Sequence, residues 1–229
     1  MQYVKRIVCL ANSFKRPGGR CIAGREVLND GSYGDWIRPV SLRSTQELQF
    51  SEYRYDEGGS PKLLDIVDVP MIRAVPHAHQ TENHEIDPAG VWKKIGELRW
   101  EDLVALRERP ESLWINSDHT REGSNNCMSP EEASTLDSSL VLIEPERFAI
   151  EIDQNSWTGA KECRSKLDYR GVHYNMSLTD PIARGVFMPK DEGVYNLEDI
   201  FVCISLTERY EQDGRCHKLV AAIFRNPPL

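Results

Sequence analysis

Ile7-Val8-Cys9-Leu10-Ala11-Asn12-Ser13-Phe14-Lys15-Arg16-Pro17-Gly18-Gly19-Arg20-Cys21-Ile22-Ala23-Gly24 sets a polar, glycine-bearing loop between two apolar runs. The pattern predicts strand, loop, strand. Gly18 and Gly19 permit positive φ and a close approach of a ligand to main-chain N–H groups. Asn12, Ser13, Lys15, Arg16 and Arg20 supply side-chain donors around them. Six of the 28 basic residues (Lys5, Arg6, Lys15, Arg16, Arg20 and Arg25) fall in the first 25 positions, with none of the 36 acidic ones, although the chain's net charge is -8. A cationic island on an acidic body is a place to hold an anion, phosphate first. The plainer alternative is a basic hairpin that only aids solubility, since Pro-Gly-Gly is ordinary turn chemistry and no nucleotide-loop motif is matched.

The same grammar continues along the chain. Short strand-like runs punctuated by Gly, Pro and Asn fall at 3–11, 20–27, 35–40, 64–75, 140–144, 147–153, 196–206 and 217–224. Arg170-Gly171 and Gln212-Asp213-Gly214 mark hairpin turns. Helical spacing is confined to 96–109, stopped by Pro110, and to a start at Ser129-Pro130, where Ser129 and Glu132 have the form of a capping box. The polar stretch 118–128 reads as an exposed loop. The expected fold is therefore mostly β with minor α, divided into a first domain at 1–137 and a second at 138–229, each the size of a five-stranded barrel.

Composition narrows the function classes. Forty per cent hydrophobic residues in 229 suits a folded protein. The six cysteines contain no Cys-x-x-Cys pair, which argues against a zinc ribbon or dithiol centre, and Cys9 and Cys203 sit in apolar runs as core thiols of a reducing compartment. No apolar stretch approaches the roughly 18 residues that span a bilayer, and the run after Lys5-Arg6 is too short for a signal-peptide core. A soluble, cytoplasmic protein without membrane association is expected. The acidic total argues against nonspecific coating of duplex DNA, which depends on many phosphate contacts, but leaves room for a focused site.

Ile7 to Ser13, Gly18 to Gly24, Trp36-Ile37-Arg38-Pro39-Val40-Ser41, Gln80-Thr81-Glu82-Asn83-His84, Ser205-Leu206 and Lys218 to Ala222 together resemble the bacterial Dual OB domain family, over nearly the whole chain. The resemblance implies two OB-type β-barrels and a role in binding nucleic acid or nucleotide. It also implies a setting in prokaryotic defence loci, with a protein partner from the same operon.

Further candidate chemistry lies in three places. Trp36 and Arg38, two residues apart, share a strand face; they either sandwich a base and hold its phosphate, or pack the barrel and tie down a loop carboxylate. In His77-Ala-His79-Gln-Thr-Glu82-Asn-His84-Glu-Ile-Asp87, the readings are a metal site, a recognition loop using Gln80, Asn83 and His84, or a structural turn. Trp157, Lys161, Arg164, Tyr169, Arg170, His173 and Tyr174 form a second aromatic and basic grouping, either a surface or core. Asp180 is expected to cap a turn, and Trp92, Trp100 and Trp114 to pack.

The leading expectation is a module binding single-stranded nucleic acid or a nucleotide. Lys15, Arg16 and Arg20 would hold phosphate, Trp36 would stack, and Asn12, Ser13, Arg38, Gln80, Asn83 and His84 would complete the cleft. No catalytic residue, cofactor or metal is assigned. The alternatives are a metal-assisted enzyme using His84 with Glu82 or Asp87, and a protein-interaction adaptor.

Overall fold

The structure is a computed structural model and describes residues 2–15, 18–116, 118–156 and 158–229. Among them no helix is long and apolar enough to cross a membrane. The chain divides into two compact units, the first ending at Leu106 and the second running from Arg107 to Leu229.

The first unit contains β1 (Tyr3–Lys15), β2 (Gly19–Val27), β3 (Tyr33–Val40), α1 (Phe50–Tyr53), β4 (Asp65–Ala74), β5 (Asn83–Ile86) and β6 (Lys93–Glu97), followed by a 3₁₀ turn at Trp100–Leu106. β1 pairs with both β2 and β4, so the strands close in the cyclic order β1-β2-β3-β5-β4-β1, with β6 added outside β4. Only the β3–β5 pair is parallel. This is the five-stranded Greek-key barrel of the OB type. Ile7, Cys9, Ile22, Ile37, Val67, Val69, Met71 and Ile86 fill it, with Leu48 and Trp92. Gly24 makes the closure possible: a Cβ there would lie 1.9 Å from the Val8 carbonyl oxygen, just where the β1–β2 register shifts. Gly18 and Gly19 do not take positive φ; Gly19 is needed because a Cβ would meet Glu47 Cγ at 2.4 Å. The helical spacing at 96–109 resolves into a strand end and the 3₁₀ turn, which buries Leu103 and Leu106.

The second unit contains β7 (Cys127–Met128), α2 (Pro130–Ala133), β8 (Leu140–Ile143), β9 (Arg147–Gln154), β10 (Lys161–Tyr169), β11 (Val172–Leu178), α3 (Pro181–Phe187), β12 (Gly193–Leu197), β13 (Ile200–Arg209) and β14 (Cys216–Arg225). Its order is β12-β9-β10-β11-β14-β13-β8, again with one parallel pair, β11–β14. The plan of the first unit recurs if β12 and β13 are two halves of one fourth strand, broken at Glu198-Asp199, where Asp199 has φ +52°. The uninterrupted strand expected at 196–206 is this broken pair. Arg170 and Gly171, at φ +49° and +73°, make the tight hairpin turn between β10 and β11. The Ser129–Glu132 capping box forms at α2.

The units meet at 106/107, earlier than the expected 137/138. The intervening segment reads as a polar linker in composition, but its groups bond to the second barrel. Pro110 O accepts from the Tyr169 hydroxyl at 2.9 Å, Ile115 O from Lys218 Nζ at 2.9 Å, and β7 pairs with β14.

Candidate nucleic-acid interface

In the first unit, the β1–β2 hairpin brings Asn12, Phe14 and Arg20 to one face. Asn12 is registered with Ile22 and Phe14 with Arg20, and Ile22 belongs to the core. By the two-residue period these side chains continue the interior face onto the barrel rim. Phe14 is 50 % exposed there, with the Arg20 guanidinium 4.3 Å above its ring. Arg20 exchanges two main-chain hydrogen bonds with Leu48, at 2.8 and 2.9 Å, which brings the segment before α1 to the root of the hairpin.

Among the described residues, four of the eight buried polar side-chain atoms without a hydrogen-bond partner lie in these two segments: Asn12 Oδ1, Arg20 Nη1, Gln46 Oε1 and Glu47 Oε2. Buried polar atoms are normally satisfied, so these are positions for ordered water or the polar groups of a ligand. Of these, Asn12 Oδ1 and Arg20 Nη1, one acceptor and one donor, belong to the face that carries the exposed Phe14 ring. Lys15 follows Phe14 at the end of β1, partly exposed and by strand alternation on the opposite face; Arg16 lies outside the described residues. Ser13 takes the opposite face and is buried, away from Asn12.

Trp36 and Arg38 do share a face, the outer one, since Ile37 between them enters the core. That face is not open. Trp36 is 6 % exposed with Arg25 Cζ 5.9 Å from its ring, and Arg38 Nη2 lies 3.1 Å from Glu82 Oε1. The loop between β4 and β5 does the covering. It turns tightly at His77–Gln80, Arg38 N donates to Glu82 O at 2.8 Å, and Asn83 Nδ2 donates to Gln80 Oε1 at 3.3 Å. Gln80, Glu82 and Asn83 are all buried. Of the two readings of Trp36 and Arg38, packing and a tied-down loop carboxylate describe this arrangement.

His84 goes to the other side of β5, where its Nδ1 is 2.6 Å from the Tyr3 hydroxyl. Burial, with nearby Lys5, holds its pKa below the usual histidine value. His77 and His79 sit in the turn, one exposed and one buried, and do not share a strand face. Among the described residues no three His, Cys, Asp or Glu side chains gather as a metal-holding group.

Two of the six cations of the N-terminal island are neutralised in space. Lys5 pairs with Glu26 at 2.8 Å and Arg6 with Asp68 at 2.7 Å. In the second unit the grouping divides: Tyr169 and Tyr174 are core residues and Arg164 bonds Asn175, whereas Lys161, Arg170 and His173 are exposed; its Trp157 lies outside the described residues.

Phe14 is the residue that motif reading passes over. Its signal is positional: an aromatic at the last interior-facing position of a strand that runs into a basic loop.

A family model described as Dual OB-containing domain matches residues 5–223. No curated protein and no solved structure matches the chain.

Proposed function

The chain belongs to the Dual OB-containing domain family, and we propose that its first barrel binds a single-stranded nucleic acid through the β1–β2 rim. OB barrels commonly bind oligonucleotides through the face of their second and third strands and the loops after the first and fourth. Here the strand face is covered by the chain's own β4–β5 loop, which leaves the rim as the contact available. The observation that carries the proposal is the half-exposed Phe14 under Arg20, beside the unpartnered Asn12 Oδ1 and Arg20 Nη1. One base stacks at Phe14, its edge or ribose bonds to Asn12 and Arg20, and Lys15 at the strand end attracts the adjoining phosphate.

The test is fluorescence anisotropy with labelled single-stranded DNA, single-stranded RNA and duplex at several salt concentrations, with mononucleotides as competitors. Strand binding that weakens with salt and with Phe14→Ala supports the proposal. Mononucleotide binding alone makes the rim a nucleotide site, and absence of both removes it.

A further inference from the structure

We infer that the free edge of β12 in the second unit docks an extended peptide of a partner protein, apolar at alternate positions with one acidic residue at its centre. β12 pairs only with β9, so among the described residues its other edge carries main-chain N–H and C=O groups without a strand partner. In the first barrel the equivalent edge of β4, the one opposite β1, is paired with β6. Here β14 runs directly into Asn226-Pro227-Pro228, and the two prolines have no N–H with which to extend the sheet along β12. A groove of about 660 Å³ remains between β12, the end of α3 and the C-terminal residues, lined among others by Phe187, Lys190, Val194, Tyr195, Arg225 and Leu229. That volume lies within the roughly 300–1,000 Å³ of ligand clefts.

Three features choose the occupant. Unpaired edges invite strand addition, and natural proteins usually guard them with lysine, proline or bulges. Gly193-Val194-Tyr195-Asn196-Leu197 has none of these, and Val194 is 54 % exposed. Strand addition supplies main-chain bonds, with pockets for alternate side chains setting specificity. The groove's charged side chains are both positive: Lys190 Nζ lies 5.5 and 5.3 Å from the Phe187 and Tyr195 ring centroids, and Arg225 is exposed. Asp191, Glu192, Glu198 and Asp199 bracket the strand in sequence, so acid is favoured at the middle of the peptide and disfavoured at its ends.

A random heptapeptide phage library is panned against the full chain, and the enriched peptide is resynthesised with a fluorescent label. Enrichment of alternating apolar sequences with a central Asp or Glu is expected. Affinity should be roughly tenfold weaker for the double variant Lys190→Glu, Arg225→Glu and for Val194→Lys, each confirmed folded by circular dichroism. Methylating the peptide's main-chain nitrogens should abolish binding, which reports the strand pairing independently of any protein variant. No enrichment, or enriched peptides that bind the variants and the wild type equally, would overturn the assignment.

Discussion

Arg38 Nη2 and Glu82 Oε1 lie 3.1 Å apart with 3 % of each side chain exposed, on the outer face of β3 where an OB barrel ordinarily meets its ligand. A carboxylate from the β4–β5 loop thus occupies the guanidinium that the sequence offers to a phosphate. Breaking such a pair leaves a buried charge uncompensated. Glu82→Gln should therefore destabilise the protein by about 3–5 kcal/mol in urea unfolding, and the double change Arg38→Met, Glu82→Leu should recover most of that loss. A cost below about 1 kcal/mol for Glu82→Gln would mean that Arg38 is held chiefly by other groups.

Phe14 and Lys15 should separate stacking from charge. Phe14→Ala is expected to lose about 1–3 kcal/mol of strand affinity with the salt dependence unchanged. Lys15→Ala should lower the slope of log K against log salt by about 0.7, one phosphate contact on a single strand. Parallel titrations at several salt concentrations distinguish the two; equal slopes for Lys15→Ala and wild type would take Lys15 out of the interface.

Lys218 gives the second unit a pH signature. Burial lowers its pKa to about 7, with Nζ held by Ile115 O and by Asn116 Oδ1 at 2.7 Å and facing the Tyr174 ring. The unfolded chain, with lysine near its ordinary value, binds more protons than the folded one between that pH and about 10.4. Stability should rise as pH increases from 7, and be lost again as pH falls back towards it. The buried thiols act in the opposite sense above about 8.5, since burial raises Cys163 and Cys216 to about 11 each. Urea midpoints between pH 7 and 8.5 should therefore climb in the wild type and flatten in Lys218→Met; an unchanged slope in the variant would assign the effect elsewhere.

Asp180 links α3 to the sheet. Its Oδ1 accepts from Ile182 N and Ala183 N at 2.8 and 3.1 Å, and its Oδ2 accepts from Ile223 N in β14 at 2.9 Å. Asp180→Ala removes a cap and strands a buried N–H, together about 2–4 kcal/mol. Asp180→Asn keeps one acceptor and should fall between the two in thermal unfolding. A loss no larger for Ala than for Asn would show that the β14 bond adds nothing.

Local chemistry was legible in the sequence. The β1–β2 hairpin, the Arg170-Gly171 turn and the Ser129–Glu132 box depend on residues within a few positions of one another, and all are present. What depends on distant partners was not. Lys5 and Arg6 look like an anion site until Glu26 and Asp68 arrive from other strands. Trp36 and Arg38 look like a stacking surface until Arg25 packs against the indole and Glu82 of the β4–β5 loop pairs with the guanidinium. The polar composition of 118–128 hides that Lys218 N donates to Asn126 O at 2.8 Å and that β7 joins β14, bonds that attach the segment to the second barrel.

The two ways of completing a barrel give the units different routes of opening. In the first, β1 is bonded on both edges, so no member of the ring is a loose end and its interior amides should exchange together, through large openings. In the second, β12 hangs from β9 alone and can peel away while β9 keeps β10. Deuterium should therefore enter Gly193–Leu197 well before it enters β9 or β14, making that strand the softest regular element of its unit.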